Sequence, residues 1–236
     1  MKIKIPIKGV FAEIRNKDII VSFEYPYNVL SSGLVNAGFL KTQAIINHHV
    51  ECTSDCSNCK NKRFPNEEIK KIAEKHSLPK NAVILMTAAS MENHSKTTGT
   101  FRDIIVTCLI TAGTSNATRA GDPANWYEED EEFTETGTIN IIILTNRCLT
   151  ESAMVGSIIT ATEAKTAALY KLDLKSRYSS EGATGTGTDG IVIASDPNGG
   201  RISYAGAHSK FGEMVGKVVY KGVLEAIEKQ DGIHLK

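Results

Sequence analysis

The sequence predicts an α/β fold, with a mixed β-sheet flanked by helices in a single compact domain and an α+β arrangement as the alternative. The first third of the chain alternates polar and apolar residues, as half-buried paired strands do. The second half alternates continuous apolar runs, typical of buried strands, with two long helical segments. A chain of 236 residues with 41% hydrophobic residues can bury one substantial core. Because no repeat or linker-like segment divides it, we expect one domain over residues 1–236.

Four half-buried strands come first in the predicted order, followed by one short helix and two buried strands. The four alternating segments are Lys2–Ile7, Gly9–Arg15, Asp18–Glu24 and Thr42–Asn47. The helix begins near Pro65 and ends near His76, because acidic residues follow the proline in the first turn, where they suit the helix dipole. Ala82–Met86 and Asp103–Thr111 are apolar without alternation, which indicates buried strands.

The rest of the chain predicts a long loop over residues 113–137, with an acidic run at 128–132 that suits solvent, and then five further elements. These are a strand, a helix, a glycine–threonine loop, a strand and a final helix, over Thr138–Leu144, Thr150–Leu172, Gly182–Gly190, Ile191–Ser195 and Ser209–Lys229. Thr150 is expected to cap its helix, since a threonine hydroxyl can accept from the free N–H groups of a first turn. Residues 196–200 are expected to form a turn.

Charge and hydropathy exclude several classes of function. Lys plus Arg and Asp plus Glu each number 27, so no net field favours a nucleic-acid backbone. The longest apolar runs, such as Ile141–Leu144, fall far short of the ~20 residues of a membrane helix. The N-terminus lacks the apolar core of a signal peptide. With five cysteines that reducing conditions would keep as thiols, we expect a cytoplasmic protein without membrane insertion.

Polar side chains follow or precede three of the predicted strands. Asn116 can hydrogen-bond an amide in both directions, and Arg119 and Asp122 in the same loop supply charge. Asn140 stands at the start of the next strand. Loops at strand ends of α/β sheets commonly hold ligands, so these residues are candidates for substrate binding. An ordered loop with an internal Arg–Asp pair would use the same residues.

The glycine–threonine loop is the strongest of these signals. Its glycines let backbone amides approach a ligand closely, and Thr184, Thr186, Thr188 and Asp189 add hydroxyl and carboxylate groups. It is not a Walker loop, because no Gly-Lys-Ser/Thr sequence ends it. A tight glycine turn remains the alternative interpretation.

The two helices carry ionisable candidates. His208 stands at the start of the final helix, where the helix dipole disfavours imidazolium, so that a neutral imidazole could act as a base. Lys210 and Glu213 follow it, one turn apart. Glu163 lies on a face of small residues in the preceding helix and points either into a cleft or into solvent. A capping or surface role for His208 is the alternative.

The segment over residues 48–60 has the density of a metal site. Cys52, Cys56 and Cys59 follow His49 closely, and three thiolates with one imidazole form a known zinc set. Three thiolates could also hold an iron–sulfur cluster. A cysteine-rich loop without metal is the alternative, and a metal here would have a structural role.

Taken together, the segments resemble the adenosylcobinamide amidohydrolase family, CbiZ. The matching stretches recur in order over roughly residues 35–225, and the cysteine cluster is the clearest departure from the family pattern. They are Asn47–Val50, Met86–Ala89, Gly113–Ala124, Gly137–Asn140, Leu149–Thr150, Thr160–Leu169, Ala183–Asp189 and Ala205–Gly216.

The resemblance implies hydrolysis of the amide between the aminopropanol arm and the corrin ring of adenosylcobinamide, releasing adenosylcobyric acid and 1-amino-2-propanol. Amide hydrolysis needs an activated nucleophile, oxyanion stabilisation and a proton for the departing amine. We expect backbone amides of residues 184–188 to stabilise the oxyanion. We expect His208, held by Glu213 or Asp122, to move protons.

The remaining roles follow from the same resemblance. The corrinoid's peripheral amides would contact Asn116, Arg119 and Asn140. Five further residues are expected to bind the substrate: Glu163, Thr184, Thr188, Asp189 and Lys210. The nucleophile is either water, which we favour, or Thr186, which would form an acyl-enzyme. The rival function is a corrinoid- or nucleotide-binding protein without hydrolysis, with the glycine–threonine loop as an anion cradle. The oligomeric state stays open, a homo-oligomer included. All of these roles require the loops and helix starts to converge on one cleft.

Overall fold

The computed structural model describes residues 1–33, 35–50, 66–123 and 138–235. The acidic run at 128–132 and the predicted thiol ligands Cys52, Cys56 and Cys59 lie outside these residues. Within the described residues none of the helices combines the length and the apolar character needed to cross a membrane.

The described chain contains eleven strands and three α-helices. The strands are β1 Lys2–Ile3, β2 Val10–Arg15, β3 Asp18–Ser31, β4 Gly38–His49, β5 Val83–Thr87, β6 Ser95–Phe101, β7 Ile104–Ala112, β8 Ala117–Thr118, β9 Ile139–Leu149, β10 Gly185–Thr186 and β11 Gly190–Ile202. The helices are α1 Asn66–Lys75, α2 Glu151–Lys171 and α3 Lys210–Asp231. This confirms the α/β class that the sequence predicts.

Nine of the described strands form one mixed, curled sheet. Its main order is β1-β2-β3-β11-β9-β7-β6, while β4 pairs along the other side of β3 and with β5. The long strand β3 changes neighbours, because its first half pairs with β2 and its last residues pair with β11. One apolar core fills the inside of the curl, with Tyr27, Ile142 and Val192 among its buried members.

The helices α2 and α3 cover the outer side of the sheet over β9, β7 and β6. A second core lies between them, with Ile143, Leu169 and Val219 fully buried. The strands β9 and β11 are parallel and are joined through α2. Both helices therefore begin at the end of the sheet where β9 and β11 terminate, which we call the helix-start end.

The opposite end of the sheet is where β4, β5 and β7 terminate and β9 and β11 begin. We call it the polar end, because Asn47, Thr111 and Asn140 meet there although each is almost fully buried. The pairings of Thr111 with Asn140 and of Asn140 with Gly190 fix this alignment of the strand ends.

The helix caps agree with the sequence. The Thr150 hydroxyl accepts from the backbone N–H of Ala153 at 3.2 Å and begins α2 as predicted. The Ser209 hydroxyl accepts from Gly212 N–H at 2.9 Å and begins α3.

Several strand predictions are wrong in extent. The first strand covers only Lys2–Ile3, and β3, β4 and β9 extend well beyond the predicted segments. No strand is predicted over β6, because most of its residues are small and polar. The hydroxyls of Ser95 and Thr97 donate to carbonyls of α3 at 2.6 and 2.7 Å, and these bonds let a polar strand lie under a helix.

The predicted turn over residues 196–200 lies within β11, which shifts register between Ser195 and Gly200. Glycine is required there, because a Cβ on Gly199 would collide with the backbone of Asn146. The predicted loops over 113–137 and 182–190 contain the short strands β8 and β10.

Candidate active site

Two loops far apart in the sequence are joined at the polar end. Strands β8 and β10 pair antiparallel, with Thr186 opposite Ala117 and Gly185 opposite Thr118. The Thr184 hydroxyl accepts from Ala120 N–H at 2.8 Å, and Thr184 N–H donates to the Thr118 carbonyl at 2.9 Å. The structure thus brings the predicted substrate loop and the glycine–threonine loop into one ribbon.

Asp189 organises the glycine–threonine loop. Its carboxylate accepts four donors: the Thr186 hydroxyl at 2.5 Å, Thr186 N–H at 3.1 Å, Ile139 N–H at 3.0 Å, and the Lys165 ammonium group. These bonds tie the loop to the start of β9 and to the middle of α2. Asp189 was expected to contact the substrate, but its oxygens are engaged within the protein.

Asn116 has an unsatisfied acceptor. The residue is 4% exposed, and its side-chain oxygen meets no donor among the described residues. Its amide nitrogen lies beside Gly187, 3.7 Å from where a Cβ on that residue would stand. A buried polar atom without a partner is rare, and this one lies beside an exposed loop, which makes it a candidate contact for a ligand or water.

The sheet interior below the loops holds a buried chain of hydrogen bonds. The Asn140 amide donates to the Asn47 side-chain oxygen and to the Met86 carbonyl, both at 2.8 Å. The Asn47 amide in turn donates to the Thr111 hydroxyl at 2.8 Å. We expected Asn140 to bind the substrate, but its donors are used to link β9 to β4 and β5.

Arg119 and Asp122 do not form the side-chain ion pair that an ordered loop suggests. The Arg119 guanidinium donates to the Tyr170 hydroxyl at 2.6 Å and to the Gly182 carbonyl at 3.3 Å. Asp122 accepts from the Ser176 hydroxyl at 2.5 Å and from Arg119 N–H at 2.8 Å. The Ser176 bond, with that of Arg119 N–H, holds the pKa of Asp122 below its usual value. The expectation that Asp122 holds His208 is therefore wrong.

His208, Lys210 and Glu213 lie at the helix-start end. The Glu213 carboxylate pairs with Lys210 and, at 2.6 Å, with Lys217. The hydrogen bonds from Lys210 and Lys217 lower the pKa of Glu213 to about 2. Glu213 therefore does not hold His208, which is exposed and makes no side-chain hydrogen bond within the described chain.

Contacts along α2 show how far His208 is from the loop. Thr160 donates to the carbonyl of Ala205, three residues before His208, whereas Lys165 and Thr166 contact the glycine–threonine loop. At 1.5 Å per residue these positions differ by roughly 8 Å along the helix axis. His208 belongs to the helix-start end beyond Ala205, so the expected single cleft does not bring it to Thr186.

The remaining predicted residues are placed as follows. Glu163 is exposed on α2, which is the solvent-facing interpretation of that carboxylate. Thr188 is exposed in the loop, and its carbonyl accepts from the Thr138 hydroxyl at 2.7 Å. An open groove of about 430 Å³ at the helix-start end, lined by Leu149 and Arg201 among others, includes none of the predicted site residues.

His49 lies at the polar end, on the same side of β4 as Asn47. Its Nδ1 is 3.1 Å from the Ala89 carbonyl, which can only accept, so Nδ1 carries the proton and Nε2 is the nitrogen available to a metal. A carbonyl that fixes the tautomer in this way is a common neighbour of metal-bound histidines. The described residues contain no cluster of three metal-ligating side chains, and the metal site with Cys52, Cys56 and Cys59 stays a prediction.

The sequence did not point to Lys165, which is buried at 6% exposure in the middle of α2. A signal was present, because this lysine follows Ala161 and Ala164 and precedes Ala168 and Leu169 on the apolar face of the helix. A lysine there has to find a partner in the interior.

Fold and site together define an α/β protein whose hydroxyl, amide, carboxylate and ammonium groups gather where strands of its sheet begin and end. A sequence profile described as adenosylcobinamide amidohydrolase, CbiZ, matches residues 6–235. The chain belongs to this family, and the family makes it an amidohydrolase.

Two proteins that are similar in sequence align with this chain over nearly its whole length. Uncharacterized protein MJ1613 of Methanocaldococcus jannaschii is 35% identical over 98% of this chain and 92% of its own. A protein of Methanosarcina mazei named adenosylcobinamide amidohydrolase is 32% identical over 90% of this chain and 96% of its own. The PH0078 protein of Pyrococcus horikoshii is 11% identical, with a TM-score of 0.41 over 94% of this chain and 83% of that one, a likeness too low to inform fold or function.

Proposed function

We propose that this chain hydrolyses the amide that joins the aminopropanol arm to the corrin ring of adenosylcobinamide, giving adenosylcobyric acid and 1-amino-2-propanol. The observation that carries the proposal is the family match over residues 6–235, together with the meeting of several of its matching stretches at the polar end. Among these stretches, Gly113–Ala124 and Ala183–Asp189 are joined through β8 and β10.

Asn116 and Arg119 are suited to bind the substrate's peripheral amides. The Asn116 side-chain oxygen lacks a donor, and an amide N–H of the corrinoid would supply one. The Arg119 guanidinium has five N–H donors, and the Tyr170 hydroxyl and the Gly182 carbonyl engage only one of its nitrogens. Its remaining donors can bind a substrate carbonyl.

The oxyanion contact has to come from fewer amides than the sequence suggests. The N–H groups of Thr184 and Thr186 already donate to the Thr118 carbonyl and to Asp189. We assign oxyanion stabilisation to the backbone N–H of Gly187, which is exposed at the tip of the loop beside Asn116.

Water remains the nucleophile that we favour. Apart from the Thr186 hydroxyl itself, the Asp189 carboxylate accepts three further donors, which compete for the lone pairs that would take up the threonine proton. The Thr186 hydroxyl donates its hydrogen bond to Asp189, so the lone pairs of its oxygen can accept a hydrogen bond from water. A corrinoid adduct on Thr186, found by mass spectrometry of enzyme quenched during turnover, would overturn this assignment.

The experiment that tests the function is product analysis by mass spectrometry after incubation with adenosylcobinamide. We expect equal amounts of adenosylcobyric acid and 1-amino-2-propanol to appear, and to appear far more slowly with the Asn116→Leu variant. Tight corrinoid binding without either product would instead favour the non-hydrolytic binding protein.

A further inference from the structure

Lys165 is an ammonium group buried where an apolar residue would be expected. It is 6% exposed, and its neighbours on the same helix face are Ala161, Ala164 and Ala168. Its ammonium pairs with Asp189, whose side chain is also largely buried at 12% exposure. Because apolar residues of similar size are often equally stable at such a place, a buried ion pair there points to a role other than stability.

The surrounding backbone is shaped to admit this pair. A Cβ on Gly185 would collide with the Asp189 carboxylate and would stand 2.7 Å from Lys165 Nζ. Gly185 therefore leaves the room that the ammonium and the carboxylate occupy. The pair and the glycine form one unit that joins α2 to the loop.

The pair determines what the Thr186 hydroxyl can do. Each Asp189 oxygen accepts two donors, and Thr186 supplies one donor to each, its hydroxyl to Oδ1 and its N–H to Oδ2. The Thr186 hydroxyl thus uses its hydrogen in the bond to Oδ1, so that toward other groups its oxygen acts only as a hydrogen-bond acceptor. The ammonium group of Lys165 holds in place the carboxylate that imposes this orientation.

We propose that Lys165 is a positioning residue of the hydrolytic site. It holds the Asp189 carboxylate in place, so that Thr186 presents its oxygen lone pairs to the attacking water, and Lys165 itself does not touch the substrate. This inference rests on the proposed function, because the water it concerns is the nucleophile of that reaction.

The first test compares Lys165→Met with Lys171→Met, a matched change at an exposed lysine in the last turn of the same helix. We expect Lys165→Met to lower kcat about 100-fold with KM changed less than about threefold, because the water is misplaced while the corrinoid contacts remain. Lys171→Met should leave both constants unchanged. A Lys165→Met enzyme with wild-type kcat overturns the proposal.

Hydrogen exchange gives a readout that does not depend on turnover. The N–H groups of Thr186 and Ile139 donate to Asp189, so both should exchange faster in Lys165→Met than in wild type. Unchanged protection of both groups overturns the proposal. Wild-type enzyme that forms no product would refute the proposed function instead, and the exchange result would still decide whether Lys165 holds the loop.

Chemical rescue separates positioning by charge from filling of space. Lys165→Ala removes three methylenes and the ammonium group, which propylammonium can replace. Recovery of kcat with propylammonium but not with 1-propanol supports the proposal, whereas equal recovery with both overturns it. Should Lys165→Met fail to fold, Lys165→Met/Asp189→Asn leaves no unpaired charge, and it should fold and keep the low kcat.

Discussion

The polar end and the helix-start end carry similar side chains and use them differently. At the polar end Lys165 and Asp189 are buried, and their partners lie on separate elements of the fold. At the helix-start end Lys210 and Glu213 are partly exposed and pair within one helix, three residues apart.

The difference shows which signal distinguishes a candidate site from a solvated helix start. Both ends combine cationic, anionic and hydroxyl residues within a few positions of each other in the sequence. The polar end also holds a buried acceptor, the Asn116 oxygen, that lacks a donor within the described residues. Burial together with an unmet hydrogen bond indicates a ligand more strongly than residue type does.

The largest expected effect is that of Asp189→Asn at the polar end. The change leaves the Lys165 ammonium buried without its counter-charge, which we expect to lower the free energy of unfolding by about 3 kcal/mol. Urea unfolding measures the loss. Asp173→Asn is the matched control, because Asp173 pairs with Lys175 in solvent and should matter little. Equal losses in the two variants would contradict the contrast between buried and exposed pairs.

Asn116→Leu should separate binding from stability. Removing an acceptor that has no donor should leave the free energy of unfolding unchanged or slightly higher, while KM for the corrinoid rises about tenfold through the lost hydrogen bond. Asn140→Leu is the control, since it breaks satisfied bonds and should cost about 2 kcal/mol of stability. Thermal unfolding and steady-state kinetics measure both quantities, and a destabilised Asn116→Leu would refute the role given to its oxygen.

The stability contribution of Asp18 should depend on pH. This buried carboxylate lies beside the polar end and has no part in the proposed reaction. Burial acts to raise its pKa, but hydrogen bonds from His48 at 2.8 Å and His76 at 2.6 Å outweigh burial and hold the pKa below 3.8. Because the pKa of Asp18 is lower in the folded than in the unfolded chain, its carboxylate stabilises the fold at pH values above the unfolded pKa. This contribution is lost as the pH falls through the folded pKa. The stability difference between wild type and Asp18→Asn should therefore shrink below about pH 4, as urea midpoints between pH 6 and 3 would show. A constant difference would contradict it.

The smallest expected effect is that of His208→Ala at the helix-start end. An exposed side chain without a hydrogen bond in the described chain should change turnover by no more than about twofold. Steady-state kinetics with adenosylcobinamide measures it. A large loss of turnover with corrinoid binding intact would restore the role of proton carrier that the sequence suggested, and would show that the substrate spans both ends.

Local patterns were sufficient for much of the fold. Alternation and continuous apolar runs predicted most of the longer strands, and the hydroxyls of Thr150 and Ser209 marked both long helices. Strand β6 could not be predicted, since Ser95 and Thr97 become compatible with burial only through carbonyls of α3. The length of β3 was missed as well, because its two halves pair with different partners.

Local sequence was enough to predict the fold class, the helix starts, the family and the loops that carry Asn116 and Thr186, because each depends on neighbouring residues or on an ordered set of short motifs. Which of these groups are free depends on the three-dimensional packing of the chain. It engaged Asp189 and Asn140 within the protein, left the Asn116 oxygen without a donor, and separated His208 from the loop. The reason is physical: a hydrogen-bond partner is chosen by proximity in three dimensions, and residues such as Lys165 and Asp189 become neighbours only when helix and sheet pack together.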